Sequence, residues 1–315
     1  MVSEPAITRR SLLGGLALGT LGGPARAAAP RVVTLDGLFT ETLLGIGLVP
    51  VAAANRPLYE RLTAQPALPP EVVDLGPLQE PNLELLRLMR PDLLVAATWQ
   101  AQTQGALARI APVAAFPTTA GNAPSPLDHL DTLTRALGRR VGHEAQAEAR
   151  IAETGAALAQ ARATLAGHLG RPAYICRLRE DGRVAMFGAR CTVGDVAARV
   201  GLANAWSGGQ SGSGTAFAGI EDLGANPDAI LIHFDRGRET VRALARLDTS
   251  PIWRALPFVR LQRVVAMPVV HPNGALPSAA RFAGQLAAAL QDIDLQDIDR
   301  QDTDRQGAQA GTRRR

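Results

Sequence analysis

Two acidic residues stand at matching places in two similar stretches of this 315-residue chain. Glu84 lies in Leu83-Glu84-Leu85-Leu86, seven residues before Pro91-Asp92 and the apolar run Leu93-Leu94-Val95. Glu221 lies in Ile220-Glu221-Asp222-Leu223, six residues before Pro227-Asp228 and Ala229-Ile230-Leu231. Each stretch reads as an acid near the start of a short helix, then Pro-Asp, then a buried strand. Two similar halves with one carboxylate on each suit a protein that holds something between lobes and presents both acids to a partner. The chemistry of such a pair is ionic recognition. An acid in a first helical turn is also favoured by the helix dipole, by ~0.3–1 kcal/mol, and that reading weighs more on Glu221 than on Glu84, which is expected further into its helix.

Groups that make and break bonds lack their required settings. Gly209-Gln210-Ser211-Gly212-Ser213 misses the final glycine of a nucleophile elbow. No Gly-x-Gly-x-x-Gly opens a strand-to-helix turn, and His129, His143, His168, His233 and His271 show no metal-ligand spacing. Every basic residue is arginine, so neither a phosphate-loop lysine nor a Schiff base is available. Binding is therefore expected rather than catalysis, and an exported hydrolase is the weaker alternative.

The elements that must position these residues follow a signal-like start. Thr8-Arg9-Arg10-Ser11-Leu12-Leu13, a soft apolar run to Leu21 and Ala25-Arg26-Ala27 read as a twin-arginine export signal over residues 1–27. The apolar run is half the roughly 20 residues a membrane helix needs. The net charge of +4 includes +2 from residues 1–27 (Arg9, Arg10 and Arg26 against Glu4), which leaves no electrostatic case for nucleic acid. At the other end, residues 291–315 form a polar Gln-Asp repeat that cannot bury a core and is expected to be disordered.

Between these ends, short apolar runs alternate with helical patterns, which implies mostly parallel sheets. An N-terminal α/β lobe is expected over 28–140, a bridging helix within 141–170 and a C-terminal α/β lobe over 171–290. Ser125-Pro126 starts a helix that Gly138 is expected to stop. The bridge is expected from about His143 to Leu169, striped by Ile151, Leu158 and Leu165, and ~40 Å long at 1.5 Å per residue. A helical bridge predicts small lobe motion rather than wide hinge closure. Two cysteines, Cys176 and Cys191, could pair in an oxidising compartment. A hairpin turning at Glu180-Asp181-Gly182 would instead face Cys176 toward Met186.

Seven segments, in order, carry a resemblance: Arg31-Val-Val-Thr-Leu, Gly47-Leu-Val-Pro50, Glu80-Pro-Asn-Leu-Glu-Leu-Leu86, Leu107-Ala-Arg-Ile-Ala-Pro112, Asn204-Ala-Trp206, Pro251-Ile-Trp-Arg-Ala-Leu-Pro-Phe-Val-Arg260 and Gly274-Ala275. Together they resemble the periplasmic iron–siderophore binding proteins of ABC importers, above all the ferric-hydroxamate type, over residues 30 to 290. The resemblance implies an α/β fold of two Rossmann-like lobes bridged by a long α-helix, the helical-backbone periplasmic binding protein fold. It implies a monomer that captures a ferric siderophore and delivers it to the permease dimer of an ABC importer. It implies no catalysis and no resident cofactor, because iron arrives inside the siderophore. Glu84 and Glu221 match the family's transporter-docking acids.

The cleft departs from the family pattern. The arginine position that hydrogen-bonds a ligand oxygen is Leu78 and the tyrosine position is Gln100; three tryptophan positions are Gly37, Ser213 and His271. Only 12 residues are aromatic (seven Phe, three Trp, two Tyr). Loss of a charged hydrogen bond costs about 1.5–3 kcal/mol, so a ferrichrome-type ligand would not be held in the same way. The residues expected to line the cleft are Leu78, Trp99, Gln100, Gln102, Arg190, Ser213, Thr215, His271 and Asn273. An alternative is haem or another tetrapyrrole, with His271 as an axial ligand and Leu78 in an apolar slot.

Overall fold

The computed structural model describes residues 30–100 and 105–291. The export-signal reading, Gln102 and the tail beyond residue 291 lie outside the described residues. The N-terminal sheet is built from β1 (Val32–Thr34), β2 (Ala52–Ala53), β3 (Val73–Asp74), β4 (Leu93–Ala97) and β5 (Val113–Phe116), in the order β3-β2-β1-β4-β5. Every pairing in it is parallel, with Val33 opposite Ala52 and Thr34 opposite Val95. All five residues of β4 are buried, Leu93, Val95 and Ala97 in one apolar cluster and Leu94 and Ala96 in another. That continuous apolar run is what a central parallel strand covered on both faces requires. The connecting helices are α1 (Gly37–Gly45), α2 (Arg56–Leu62) and α3 (Leu83–Leu88).

The C-terminal sheet contains β6 (Pro172–Leu178), β7 (Arg183–Phe187), β8 (Ala203–Asn204), β9 (Thr215–Gly219), β10 (Ile230–Asp235) and β11 (Val264–Pro268), ordered β11-β10-β6-β7-β9 with β8 beside β6. The β11, β10 and β6 pairings are parallel, whereas β7 pairs antiparallel with both β6 and β9. Strand β9 follows the glycine-rich loop and has no clean apolar alternation, so the sequence pattern does not announce it. The helices are α6 (Thr192–Arg199), α7 (Arg238–Leu247), α8 (Pro251–Ala255), α9 (Pro257–Arg260) and α10 (Leu276–Gln291). Cys176 does face Met186, and it sits in a different apolar cluster from Cys191, so both thiols are free and buried.

Helices α4 (Pro126–Val141) and α5 (Glu144–Thr164) link the halves. The Ser125 side chain caps α4 by accepting from the Asp128 amide. Gly138 does not stop α4. It lies inside the helix, where an added Cβ would sit 2.7 Å from the Ala147 side chain and 3.1 Å from the His143 carbonyl. Its bare backbone lets α4 and α5 approach. The terminator is Gly142, whose φ of 72° is the left-handed conformation that glycine adopts cheaply. Helix α5 has 21 residues, about 32 Å, because the chain tightens into a 3₁₀ turn over Ala166–His168. It is thus shorter than its periodicity suggests.

Buried carboxylates latch the halves reciprocally. Glu41, on α1, accepts from the amides of Ala275 (3.0 Å) and Ser278 (2.7 Å) at the start of α10. Asp195, on α6, accepts from the Leu127 amide (2.9 Å) at the start of α4. Each acid satisfies amides that the first turn of a helix leaves without partners. Helix α5 completes the spine: Arg150 donates to the Gly45 carbonyl and His143 bonds the Ile46 carbonyl at the end of α1, while Thr154 reaches Leu276. One apolar cluster runs through this junction from Val32 and Leu93 to Phe234 and Phe282.

Candidate ligand-binding cleft

Parallel strands deliver their following loops to one edge, and in α/β sheets that edge is where ligands bind. Asp36 and Gly37 follow β1, Ala54 and Asn55 follow β2, and Leu78 lies beyond β3. Thr118 follows β5, and the loop His271–Gly274 follows β11. These residues, with Leu38, Glu41, Leu58, Tyr59 and Thr63, line a cleft whose space, including the open solvent at its mouth, is about 570 Å³. Both lobes contribute, and the surface inside is mainly apolar.

Asp36 is a half-buried acid in the cleft wall. It caps α1, accepting from the Leu38 amide at 2.9 Å, and it also takes a hydrogen bond from the Trp99 side chain. Burial outweighs those donors and raises its pKa above the usual carboxylate value. Glu41 is fully buried and its pKa is also raised, by burial first, against the opposing Ala275 and Ser278 hydrogen bonds and the Arg281 charge. Arg281 donates to the Thr63 carbonyl, and the Tyr59 hydroxyl donates to the Pro66 carbonyl. Burial raises the Tyr59 pKa as well, so it stays a neutral donor.

His271 lines the cleft and stays neutral: burial lowers its pKa to about 4. Its Nδ1 accepts from the Asn273 amide at 3.2 Å, which assigns the ring proton to Nε2. Axial ligation of haem iron through Nε2 needs the other tautomer and would break that bond. In this tautomer the ring offers Nε2–H as a hydrogen-bond donor. Among the described residues no cluster of His, Cys, Asp and Glu could hold a metal ion.

The residues expected in the cleft from sequence fall in several places. Leu78, His271 and Asn273 line it. Trp99 is 48% exposed on the 3₁₀ turn after β4, tied to Asp36. Gln100 is a correction. It is 5% exposed, and its amide accepts from the Ala97 amide and donates to the Leu35 and Leu78 carbonyls, so it braces the wall from behind. Ser213 and Thr215 do not line the cleft either: the Ser213 carbonyl accepts from the Asn273 side chain and from Cys191 Sγ, and Thr215 Oγ1 sits 4.0 Å from that sulfur. They support the loop that carries Asn273. Arg190 lies one wall away, in an adjoining depression that shares Thr118 and Asn273 with the cleft. The sequence reading missed Asp36, Glu41, Asn55 and Tyr59. Asp36 and Asn55 directly follow β-branched or small apolar strand runs, a signal that could have found them.

Both echoed acids are exposed, and neither forms an ion pair with another described residue. Asn82 caps α3 through the Leu85 amide, so Glu84 lies in the first turn rather than further in. Its dipole contribution is therefore as real as that of Glu221, which sits in the 3₁₀ turn Ile220–Ala225.

The cleft and its two lobes have parallels among known proteins. The family described as "Periplasmic binding protein" matches residues 32–270. The iron(3+)-hydroxamate-binding protein FhuD of Escherichia coli (strain K12) is 31% identical over 296 residues, 92% of this chain and 99% of that protein. The siderophore binding protein FhuD of Vibrio cholerae, solved with bound Fe³⁺–Desferal, aligns with a TM-score of 0.77 at 25% identity over 84% of this chain and 99% of that one. The triscatecholate siderophore binding protein FeuA of Bacillus subtilis, solved with ferri-bacillibactin, shares the fold at a TM-score of 0.64, with 18% identity over 84% of this chain and 94% of that one.

Proposed function

The chain belongs to the periplasmic binding protein family, and from that premise we propose that it captures a ferric siderophore and hands it to an ABC permease. The observation that carries this reading is the two-lobed cleft at the strand ends, on a chain that matches an iron-hydroxamate-binding protein along nearly its whole length. A mainly apolar wall with few polar groups suits an organic complex. The iron stays held by the siderophore's own oxygens. The cleft residues His271 and Asn273 supply hydrogen-bond donors, Leu78 and Leu38 the apolar wall, and Trp99 the rim. The role is carriage rather than catalysis.

Glu84 and Glu221 are the two docking acids in this reading, one for each half of a permease dimer, with the binding protein acting as a monomer. Export follows the twin-arginine route, with residues 1–27 removed, the lobes over 28–140 and 171–290, and the polar tail from 291 onward. No helix among the described residues is long and apolar enough to cross a membrane. Tryptophan quenching tests the central proposal, with ferric trishydroxamates, ferric citrate-type and catecholate complexes, cobalamin and haemin as probes. Saturable quenching by a ferric siderophore, largely lost in Trp99→Phe, is expected. Saturation by haemin with a shifted Soret band, and by no siderophore, would overturn it.

A further inference from the structure

The charges facing the cleft are one-sided. Among the described residues two carboxylates, Asp36 and Glu41, line it, and no arginine does. His271 is neutral. The nearby guanidinium groups have partners other than Asp36, and Arg281 is the one whose charge acts on the cleft, through Glu41 and Tyr59. Arg281 donates to the Thr63 carbonyl behind Glu41, Arg56 pairs with Glu60 and the Pro69 carbonyl, and Arg190 faces the adjoining depression.

The two acids are not equivalent. Glu41 is spent on the first turn of α10, where two amides and the helix dipole offset its charge. Asp36 has only neutral partners, the Leu38 amide and the Trp99 side chain. It is half-buried in the wall of a mainly apolar cleft, with no ion pair to another described residue. A ligand that fills the cleft strips the remaining water from that carboxylate, and an uncompensated buried charge is unfavourable unless the ligand brings the counter-charge.

We propose that Asp36 recognises a positively charged group on the ligand. The cargo is then a ferric complex with a neutral core and a protonated amine, such as a trishydroxamate ending in an ammonium group, and not an anionic complex. The charge count supports this assignment. Three hydroxamates neutralise Fe³⁺, so a terminal ammonium leaves one net positive charge. Three catecholates leave three negative charges, which would lie against Asp36 with no arginine to meet them. Leu78 adds apolar wall and no charge to the cleft.

This inference rests on the siderophore-binding reading and deepens it. Its test compares three probes by tryptophan quenching at low ionic strength: the ferric complex of Desferal, which ends in an ammonium; the same complex with that amine acetylated; and a ferric triscatecholate. The ammonium complex is expected to bind about tenfold or more tightly than the acetylated one, the gain from one charge-assisted hydrogen bond. Asp36→Asn keeps a good helix cap and is expected to bring the ammonium complex down to the affinity of the acetylated complex. Equal affinities in the wild type, a preference that survives in Asp36→Asn, or tightest binding of the triscatecholate would each overturn the assignment while leaving siderophore binding intact. Failure of all three probes to bind would overturn the functional reading itself.

Discussion

Replacing Glu41 by alanine tests whether the lobes are held by their reciprocal caps. Glu41 is 1% exposed and accepts two backbone hydrogen bonds, at 3.0 and 2.7 Å, from the start of α10. Its removal leaves the Ala275 and Ser278 amides without acceptors in a buried setting and leaves Arg281 without its neighbouring negative charge. Two charged hydrogen bonds at ~1.5–3 kcal/mol each give a loss of about 3–6 kcal/mol. Breaking a buried charged arrangement by deleting one partner costs about 3–5 kcal/mol, so the two routes to the number agree. At ~2–4 °C per kcal/mol for a domain of 150–250 residues, the midpoint should fall by at least about 6 °C in a calorimetric scan. Glu41→Gln retains an amide oxygen for one of the two donors and should lose only about 1–3 kcal/mol. Urea titration of both variants beside the wild type supplies the comparison. A Glu41→Ala midpoint within about 2 °C of wild type would refute the claim that this carboxylate joins the lobes.

Four further outcomes follow from the same structure. Folding raises the Glu41 pKa above its ordinary 4.5, so the stabilisation linked to its protonation is full below pH 4.5 and lost as pH rises through the folded value; the stability gap between wild type and Glu41→Gln should therefore widen as pH falls from neutral toward 4.5 in urea titrations. His271 stays neutral down to about pH 4, so ligand affinity measured by quenching should show no break near 6.5, and a break there would mean the imidazole titrates freely. Gly138→Ala places a Cβ 2.7 Å from the Ala147 side chain and should destabilise by about 1–3 kcal/mol through overpacking of α4 on α5, read by chemical denaturation. Glu84→Ala combined with Glu221→Ala should abolish uptake in a transport assay while ligand affinity is unchanged, and normal uptake by that double variant would remove the docking role.

The sequence carries most of the frame because the frame is made by local signals. Strand β4 and strand β5 are legible as short apolar runs, and Ser125-Pro126 marks the start of α4 through a side-chain cap. The misread elements are those decided by distant contacts. Gly138 looks like a stop but serves close packing against Ala147, nine positions being no guide to a neighbour around a turn. Strand β9 exists because β7 offers it an antiparallel partner, which its own composition does not reveal. In the cleft, Leu78 and His271 are reachable from sequence because they lie just past strands, whereas Gln100 shares that position and turns inward to bond the Leu35 and Leu78 carbonyls. Glu41 was invisible for the same reason: its partners lie more than 230 positions away, in α10.

That distance explains why the spine and the cleft are one construction. Helix α1 supplies Asp36 at its cap for the cleft, Glu41 one turn on for the start of α10, and the Gly45 and Ile46 carbonyls at its end for Arg150 and His143 of α5 and its cap. A hinge opening would have to break the Glu41 cap, the Asp195 cap and a shared apolar core together. Losses of that size exceed what a carrier's ligand can return, because a ligand shifts an equilibrium only by its differential affinity for the two states. The separation of Glu84 from Glu221 should then be nearly the same with and without ligand, with backbone changes of about 1 Å or less. Double electron–electron resonance between spin labels beside the two acids measures it directly. A ligand-dependent change of several ångströms would mean that the reciprocal caps yield on binding, and that the permease reads lobe closure rather than the occupied rim of the cleft.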